Sequence, residues 1–312
     1  MAIEAFGGPE QLRPMDLPDP SPGPGEVLIQ IVASGVNPVD WKLIAGYLKN
    51  AFPYRLPLVP GWECAGKVEG IGPGVETFRK GDKVWAYARK PELHDGTYSE
   101  FITLPDSAVA LVPKKLLFEE AAGVPLTGLT SWQTLRLQGD VKEGAAVLVH
   151  AAAGGLGHLA VQIARDAGAR VVGTTSSRNR EFVLGLGAEE IVDYTRENFV
   201  EAVRRLYPDG VDVVLDTMGG EIQTRSLELL KRGGRLVSVI SPPDPSLCQA
   251  HGVRPDYVFV QPSGDQLRSL GALVEKGHLK PHVSKIYPLA DAAKALGESA
   301  AGHVRGKLVL NL

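Results

Sequence analysis

Cysteine is scarce in this chain of 312 residues, because only Cys64 and Cys248 are present and they lie far apart. Neither has a second cysteine or a histidine at the spacing of a zinc or redox motif, which argues against a disulfide framework and a structural zinc site. The first ten residues contain neither a basic segment nor an apolar one, so we predict no secretory signal. Together these features predict a cytoplasmic protein.

Long apolar runs and an excess of charge are also missing. The chain has 33 basic and 36 acidic residues, a net charge of −3, and no apolar run of membrane-spanning length. A basic surface for nucleic acid or anionic lipid is therefore not expected, and neither is a membrane segment. Small molecules are the expected partners.

The chain changes character twice along its length. Up to about residue 117 it has short alternating segments rich in proline and glycine, such as Val27–Val32 and Lys83–Ala86, which predict small antiparallel strands. From 118 to 262, strands alternate with segments of helical periodicity, which predicts a doubly wound, six-stranded parallel sheet. The six predicted strands are Val147–Val149, Arg170–Gly173, Glu190–Tyr194, Val211–Asp216, Arg235–Ile240 and Tyr257–Val260.

The last fifty residues contain a predicted helix, Gln266–Lys276, and a final strand, Lys307–Leu310. Because the six-stranded sheet is already complete, we predict that this strand returns to the first domain. The predicted domains are therefore residues 1–117 with 263–312, and residues 118–262.

The stretch Ala145–Gly157 carries the main functional motif. It starts as an apolar strand and continues with Ala152, Gly154 and Gly157 at the spacing of the dinucleotide fingerprint, with alanine in the first position. A turn of such small residues lets a pyrophosphate approach bare backbone at a helix N-terminus. A tight turn without a ligand is the alternative interpretation.

The next predicted strand lacks the acid that an NAD site uses to bind the ribose 2′-hydroxyl. Thr174, Thr175, Ser176 and Ser177 follow instead, and Arg178 comes next, with Arg180 close by. Hydroxyls and arginines suit a 2′-phosphate, so the sequence favours NADPH over NADH. A polar loop with a solvated arginine is the alternative.

Taken together, these residues resemble the zinc-independent branch of the medium-chain dehydrogenase/reductase superfamily that contains quinone reductases and enone or enal reductases. The resemblance follows nearly the whole chain in order, although family members usually have a few more residues before the first match. The matching segments are Gly7–Glu10, Pro24–Val27, Gly35–Asp40, Pro60–Gly66, Phe78–Val84, Gly96–Glu100, Ala151–Gly157, Leu186–Ala188, Val192–Tyr194 and Gly306–Leu310.

The resemblance implies a Rossmann domain joined to a GroES-like, mainly antiparallel β catalytic domain, and a homodimer. It also explains the missing metal ligands, because Asn37 and Trp62 stand where zinc alcohol dehydrogenases have a cysteine and a histidine. Only Glu63 remains of that group, whereas a zinc site needs about three such ligands. We therefore expect no metal.

Hydride addition to a quinone or an enone creates an enolate-like oxygen that must be stabilised and protonated. The resemblance directs the search for these donors to the segment from Asn37 to Tyr54. Asn37 is expected to donate from its amide near the nicotinamide, Asp40 and Lys42 to form a charged pair that orients water, and Tyr47 and Tyr54 to reach a carbonyl oxygen. Trp62 is expected to form an apolar wall for a flat substrate.

Each of these assignments has a simpler alternative. Lys42 would then be a solvated charge, Asp40 a helix cap, and either tyrosine a packed ring with a wet hydroxyl. Trp62 would be ordinary packing.

The same resemblance implies the residues that bind NADPH. Those expected at the nicotinamide half are Thr127, Ile240, Ser241, Phe259 and Val260, with Lys307 reaching the cofactor from the last strand. Those expected at the pyrophosphate are Ala153, Gly154, Gly155 and Leu156, and those at the 2′-phosphate are Ser176, Ser177, Arg178 and Tyr194.

The preferred function is an NADPH-dependent reductase of quinones or of α,β-unsaturated carbonyls, with a small electrophilic molecule as substrate. Two alternatives remain. One is a reductase dedicated to a single metabolite or to an enoyl thioester. The other is a structural or redox-sensing protein that binds NADPH without turnover.

We predict that Arg178→Ala weakens the binding of NADPH selectively, because the arginine is assigned to the 2′-phosphate. Titration of the variant with NADPH and NADH provides the measurement. Equal losses of affinity for the two dinucleotides would contradict this assignment.

Overall fold

The computed structural model describes all residues 1–312 and divides into two compact units. Unit 1 comprises Met1–Leu129, Pro262–Gly277 and Pro281–Leu312, and unit 2 comprises Thr130–Gln261 with His278–Lys280. The first boundary therefore falls after Leu129 and not after residue 117. The extra residues belong to unit 1 partly because the Leu126 N–H donates to Glu63 at 2.7 Å.

Thirteen strands and ten α-helices make up the chain. The strands are β1 Glu26–Val36, β2 Glu63–Ile71, β3 Lys83–Tyr87, β4 Phe101–Pro105, β5 Val109–Leu111, β6 Ala146–Val149, β7 Arg170–Thr175, β8 Glu190–Asp193, β9 Val211–Asp216, β10 Leu230–Ser238, β11 Arg254–Tyr257, β12 Val283–Pro288 and β13 Lys307–Asn311. The helices are α1 Pro38–Ile44, α2 Phe118–Ala122, α3 Pro125–Trp132, α4 Gly157–Asp166, α5 Arg180–Gly185, α6 Phe199–Leu206, α7 Gly220–Ser226, α8 Pro245–His251, α9 Gly264–Lys276 and α10 Ala292–Ala301.

Unit 1 is built on a seven-stranded, mainly antiparallel sheet in the order β12-β13-β1-β2-β3-β5, with β4 also paired to β1. Alternate residues of β1, Val27, Ile29 and Ile31, are buried in one apolar core with Cys64 and Val68 of β2. The last strand pairs antiparallel with β1, so the predicted return of this strand to the first domain is confirmed.

Unit 2 is a six-stranded parallel sheet in the order β11-β10-β9-β6-β7-β8. All four residues of β6 are buried, as expected for a strand covered on both faces. The chain leaves β6 towards β7 on one side, while β9 pairs with its other side, and this reversal is where doubly wound sheets bind ligands. The predicted fold class, a Rossmann sheet with a GroES-like antiparallel unit, is confirmed.

Two strand predictions in unit 2 are wrong by three or more residues at one or both ends. The sixth strand spans Arg254–Tyr257 and not Tyr257–Val260, and the fifth spans Leu230–Ser238 and not Arg235–Ile240. The prediction was shifted because the apolar residues Val258, Phe259 and Val260 follow Tyr257 and have the pattern of a buried strand. The true strand lies at the sheet edge, where polar residues and a proline such as Pro255 are tolerated.

Both cysteines are buried and unpaired. Burial raises the pKa of the Cys64 thiol to about 12. None of the ten helices is long and apolar enough to cross a bilayer.

Candidate active site

The glycine-containing turn of unit 2 follows β6 and leads into α4. Ala151 adopts a positive φ of 48°, and its carbonyl accepts from the Gly154 N–H at 2.9 Å. A Cβ at Gly157 would lie 2.3 Å from that same carbonyl oxygen, so only glycine lets α4 begin so close to the turn. The fingerprint spacing therefore corresponds to a real steric requirement.

Two backbone donors of this turn have no partner in the protein. The N–H groups of Gly155 and Leu156 make no hydrogen bond within the chain, and both residues are only partly buried at the N-terminus of α4. Uncommitted N–H groups at the positive end of a helix suit a pyrophosphate. The turn thus fits the dinucleotide that its sequence predicts.

A buried histidine holds the start of the turn in place. His150 is 2% exposed, with Nε2 2.9 Å from Ser226 Oγ and Nδ1 3.1 Å from Thr174 Oγ1. Since the Ser226 hydroxyl donates to the Ile222 carbonyl, His150 must donate from Nε2 and accept at Nδ1. Thr174 then accepts from the Ala151 N–H at 3.2 Å. Burial lowers the pKa of His150 to about 4, so this imidazole is neutral.

A second buried group shapes the loops after β9 and β10. Asp216 is fully buried and accepts from the Met218 and Gly219 N–H groups and from Ser238 Oγ at 2.7 Å. The Ser238 hydroxyl in turn accepts from the Ile240 N–H, while Gln223 donates to the carbonyl of Ser241. The side chains of Ser238 and Gln223, which both bond to Asp216, therefore hold two of the predicted nicotinamide-site residues, Ile240 and Ser241.

The segment after β11 is held by the side-chain amide of Gln133, which bonds to the backbone of Gln261 as a neighbouring strand would. The Gln133 amide donates to the Gln261 carbonyl at 2.8 Å and accepts from its N–H at 3.0 Å. Gln133 opens a short π-helix, Gln133–Gln138, a form that is frequent at functional sites. This pairing fixes the chain directly after Phe259 and Val260, of which Phe259 is 36% exposed and Val260 is buried.

The residues predicted at the 2′-phosphate lie at the carboxyl ends of β7 and β8. Ser176 is partly buried, while Ser177, Arg178 and Tyr194 are exposed. The sheet register places Asp193 opposite Thr175 on the neighbouring strand, and its carboxylate accepts from the Ser177 hydroxyl. The structure therefore brings these residues to one sheet edge and adds an acid.

In unit 1, three polar side chains form a buried cluster of Asn37, Glu63 and Lys307. The Lys307 side chain is 2% exposed and that of Glu63 is fully buried, with Lys307 Nζ 2.8 Å from Glu63 Oε1. The ammonium also donates to the Val36 carbonyl at 3.0 Å and to Asn37 Oδ1 at 2.5 Å. The ammonium therefore donates to two oxygens and forms an ion pair with Glu63, so in this structure Lys307 holds the cluster together.

The same cluster fixes the Asn37 amide. Nδ2 donates to Glu63 Oε1 at 2.8 Å, while Oδ1 accepts from Lys307. An amide between a cation and an anion has only one favourable orientation, so the Nδ2 end is defined. Its second N–H makes no hydrogen bond within the chain.

Backbone features make room for the cluster. A Cβ at Gly35 would lie 2.2 Å from Glu63 Oε1 and 2.5 Å from the Ala122 carbonyl oxygen, so β1 must carry glycine there. Glu63 Oε2 accepts from the Leu126 N–H at 2.7 Å, which fixes the first turn of α3. Thr127, in the next position, is 5% exposed, and its hydroxyl donates to the Gly123 carbonyl.

Asp40 lies behind Asn37 in the first turn of α1. Its Oδ2 accepts from the Asn37 N–H at 2.7 Å and from the Tyr98 hydroxyl at 3.1 Å, while Oδ1 is buried without a partner. Burial raises the pKa of Asp40 to about 7. The carboxyl therefore acts in part as the helix cap that the sequence offered as its alternative role.

The predicted pair of Asp40 with Lys42 is not formed. Asp40 bonds to Asn37 and Tyr98, whereas the Lys42 ammonium lies 5.5 Å from the ring centroid of Trp41. A buried carboxyl next to an obligatory backbone donor satisfies itself locally, and a long flexible cation remains at the surface. The prediction that Asp40 pairs with Lys42 is therefore wrong.

The remaining predicted substrate residues differ in exposure. Tyr47 is 70% exposed and packs edge-on against Trp41, while Tyr54 is 40% exposed and packs edge-on against Phe6. Trp62 is 5% exposed and lies 6.3 Å from the ring of Tyr87. The two phenol hydroxyls are thus on the surface of unit 1 and Trp62 is largely inside it.

Several residues at these sites were missed by sequence reasoning. His150, Gln133 and Tyr98 gave no usable signal, because each acts through a partner distant along the chain. Glu63 had a signal that was underused: it is an acid next to Trp62 in the matching segment Pro60–Gly66. No group of three or more histidine, cysteine or acidic side chains that could hold a metal gathers in the chain.

A doubly wound sheet with a glycine-containing turn, together with an antiparallel unit that holds a buried polar cluster, is the architecture of dinucleotide-dependent oxidoreductases. Comparison with known proteins agrees. A model of the alcohol dehydrogenase GroES-like domain matches residues 23–114, and one described as a zinc-binding dehydrogenase matches residues 186–310. The chain is 33% identical to mouse quinone oxidoreductase over 324 residues, which cover 98% of this chain and 96% of that protein.

Solved structures give the same result. Escherichia coli quinone oxidoreductase complexed with NADPH is 28% identical, with a TM-score of 0.89 over 100% of this chain and 99% of that one. An NAD-dependent alcohol dehydrogenase is 33% identical, with a TM-score of 0.91 over 100% and 98%. The chain belongs to the zinc-independent, quinone oxidoreductase-like group of the medium-chain dehydrogenase/reductase superfamily, and it is an oxidoreductase that uses a nicotinamide cofactor.

We predict that Glu63→Gln and Lys307→Met each destabilise the protein by roughly 3–5 kcal/mol, because each leaves its partner as an uncompensated buried charge. The double variant should lose less than the sum of the two, since it removes both charges. Urea unfolding of the four proteins measures this coupling. Strictly additive losses would show that the two charges do not stabilise each other.

We also predict that His150 makes stability depend on pH. The pKa of His150 is about 4 in the folded protein and 6.5 in the unfolded chain. Between these two pH values the unfolded chain therefore binds one proton more than the folded protein does. Stability should therefore rise from pH 4 to pH 6.5, by up to about 3 kcal/mol from this group, at about 1.4 kcal/mol for each tenfold change in proton affinity.

The measurement is the free energy of unfolding of wild type and His150→Gln across this range. The difference between the two should change with pH, whereas His251→Gln, at an exposed position in α8, should leave the wild-type profile unchanged. A His150→Gln profile parallel to that of wild type would contradict the assignment of a neutral buried ring.

Proposed function

We propose that this protein is an NADPH-dependent, zinc-independent reductase that transfers hydride to a quinone or to the C=C bond of an α,β-unsaturated carbonyl. The relatives named quinone oxidoreductase support the substrate class. One of these relatives, the Escherichia coli quinone oxidoreductase, was solved as a complex with NADPH, whereas another similar structure is named an NAD-dependent alcohol dehydrogenase. The preference for NADPH therefore rests on Arg178 and on the partly buried Ser176 before it.

The observation that carries this proposal is the fixed amide of Asn37. Lys307 polarises its carbonyl end and Glu63 takes one of its N–H groups, which leaves one N–H oriented and without an acceptor in the protein. A fixed donor of this kind stabilises an oxygen on which negative charge develops. We assign Asn37 to the enolate-like oxygen that hydride addition produces in the substrate.

The cofactor sites are proposed on the same basis. The free N–H groups of Gly155 and Leu156, with Ala153 and Gly154, hold the pyrophosphate, and Arg178 with Ser176 and Tyr194 holds the adenosine end. Ile240, Ser241, Phe259, Val260 and Thr127 are assigned to the nicotinamide half. When bound, the reduced nicotinamide supplies the hydride. His150 and Asp216 position these loops without touching the cofactor.

Asp40 is assigned a positioning role. Its carboxyl accepts from the Asn37 N–H and from the Tyr98 hydroxyl, and so holds the backbone that carries the Asn37 amide. The exposed phenols of Tyr47 and Tyr54 remain the proposed contacts to a carbonyl oxygen, and Trp62 the proposed apolar wall. The homodimer and the cytoplasmic location also remain predictions.

The test of this function is NADPH oxidation against a benzoquinone, a naphthoquinone, an alkyl enone and an enal, with NADH in parallel and a chelator present. Turnover that survives the chelator is the expected result, and the ranking of acceptors separates quinone from enone chemistry. Binding of NADPH without reduction of any acceptor would favour a dedicated substrate or a redox sensor instead.

Asn37→Asp is the matched variant for this assay, because it keeps the shape but replaces the donor by an anion. We expect kcat to fall by about 10²–10³, the effect of removing one oxyanion donor. The dissociation constant for NADPH should change little. A variant with unchanged kcat would remove Asn37 from the reaction.

A further inference from the structure

The acid that is missing after β7 is supplied by the neighbouring strand. Asp193 ends β8, and the parallel register pairs it with Thr175 of β7, two residues before Ser177. The Ser177 hydroxyl donates to Asp193 Oδ2. A carboxylate therefore lies at the sheet edge where dinucleotide-binding folds hold the adenosine ribose.

This carboxylate is firmly held and ionised. Oδ1 accepts from the Thr195 N–H at 2.9 Å and from the Thr195 hydroxyl at 2.6 Å, and the side chain is only 13% exposed. The hydrogen bond from Ser177, followed by those from Thr195, lowers the pKa of Asp193 to about 2. Asp193 is thus an anion at neutral pH.

The direction of the Ser177–Asp193 bond decides what Ser177 can offer to a ligand. A carboxylate only accepts, so the single proton of the serine is used and its oxygen presents lone pairs. A ribose 2′-hydroxyl can donate to that oxygen, but a 2′-phosphate cannot. The phosphate would also lie close to a fixed negative charge, which costs free energy even near a surface.

Other groups at this edge favour the phosphate. Arg178 and Tyr194 are exposed, and the Arg196 guanidinium lies 3.8 Å from Asp193 Oδ2 with its side chain 76% exposed. The edge therefore combines cations suited to NADPH with an anion and an acceptor suited to NADH.

We infer that Asp193 is a specificity-determining residue, which limits the preference for the 2′-phosphate so that the protein accepts both NADPH and NADH. This inference rests on the proposed dinucleotide site. Asparagine at position 193 would reverse the bond to Ser177, because its amide donates to the serine oxygen and the serine proton can then turn to a phosphate.

The experiment titrates the full-length protein by calorimetry with 2′,5′-ADP and with 5′-AMP, which differ only in the 2′-phosphate. Wild type should bind the two within about tenfold. Asp193→Asn should bind 2′,5′-ADP about three- to tenfold more tightly, because it removes one nearby negative charge and frees the proton of Ser177. Its affinity for 5′-AMP should not rise.

Two controls make this result specific. Glu190→Gln removes a carboxylate from the other end of β8 and should change neither affinity. Ser177→Ala should weaken the binding of 5′-AMP to wild type, because it removes the acceptor for the ribose 2′-hydroxyl, and in the Asp193→Asn background it should remove the part of the gain that depends on the freed serine proton. Thermal unfolding verifies that each variant is folded.

Two outcomes are distinguishable. If both fragments bind and Asp193→Asn leaves their ratio unchanged, or if Glu190→Gln gives the same gain, the role of Asp193 is overturned while the dinucleotide site stands. If neither fragment binds to wild type, the dinucleotide site itself is overturned, and the inference with it.

Discussion

The burial of the Lys307 ammonium is the constraint on which the rest of unit 1 depends. A cation that is 2% exposed needs a full set of acceptors, and it finds them in the Val36 carbonyl, Asn37 and Glu63. These acceptors come from the end of β1 and the start of β2, and Glu63 extends the network to α3. One buried charge thus brings together four segments and fixes the amide that we assign to the reaction.

Much of the fold could be predicted because it depends on local periodicity. The apolar run Val147–Val149 and the predicted helix Gln266–Lys276 both appear in the structure as expected, within β6 and α9. The edge strand Arg254–Tyr257 could not be predicted in this way, since an exposed strand has no apolar run. Likewise, the boundary after Leu129 depends on tertiary contacts that have no signature in composition.

In the candidate site, too, the features set by local sequence could be predicted and those set by distant partners could not. The glycine spacing of the turn after β6 is local, and the structure explains it by steric contact with the Ala151 carbonyl. The polar partners are not local: His150 bonds to Ser226, and Ser177 to Asp193, across distances in sequence that no pattern covers. The absence of an acid after β7 therefore did not mean that this end of the sheet lacks one, because the strand register places Asp193 of β8 next to β7.

The burial of the two cysteine thiols affects how the protein would react with its proposed substrates. Quinones and enones are themselves soft electrophiles, and they alkylate thiolates. Cys64 and Cys248 are both buried, and the Cys64 thiol, with its pKa raised to about 12, remains protonated. The two cysteines therefore offer such electrophiles no exposed thiolate to alkylate.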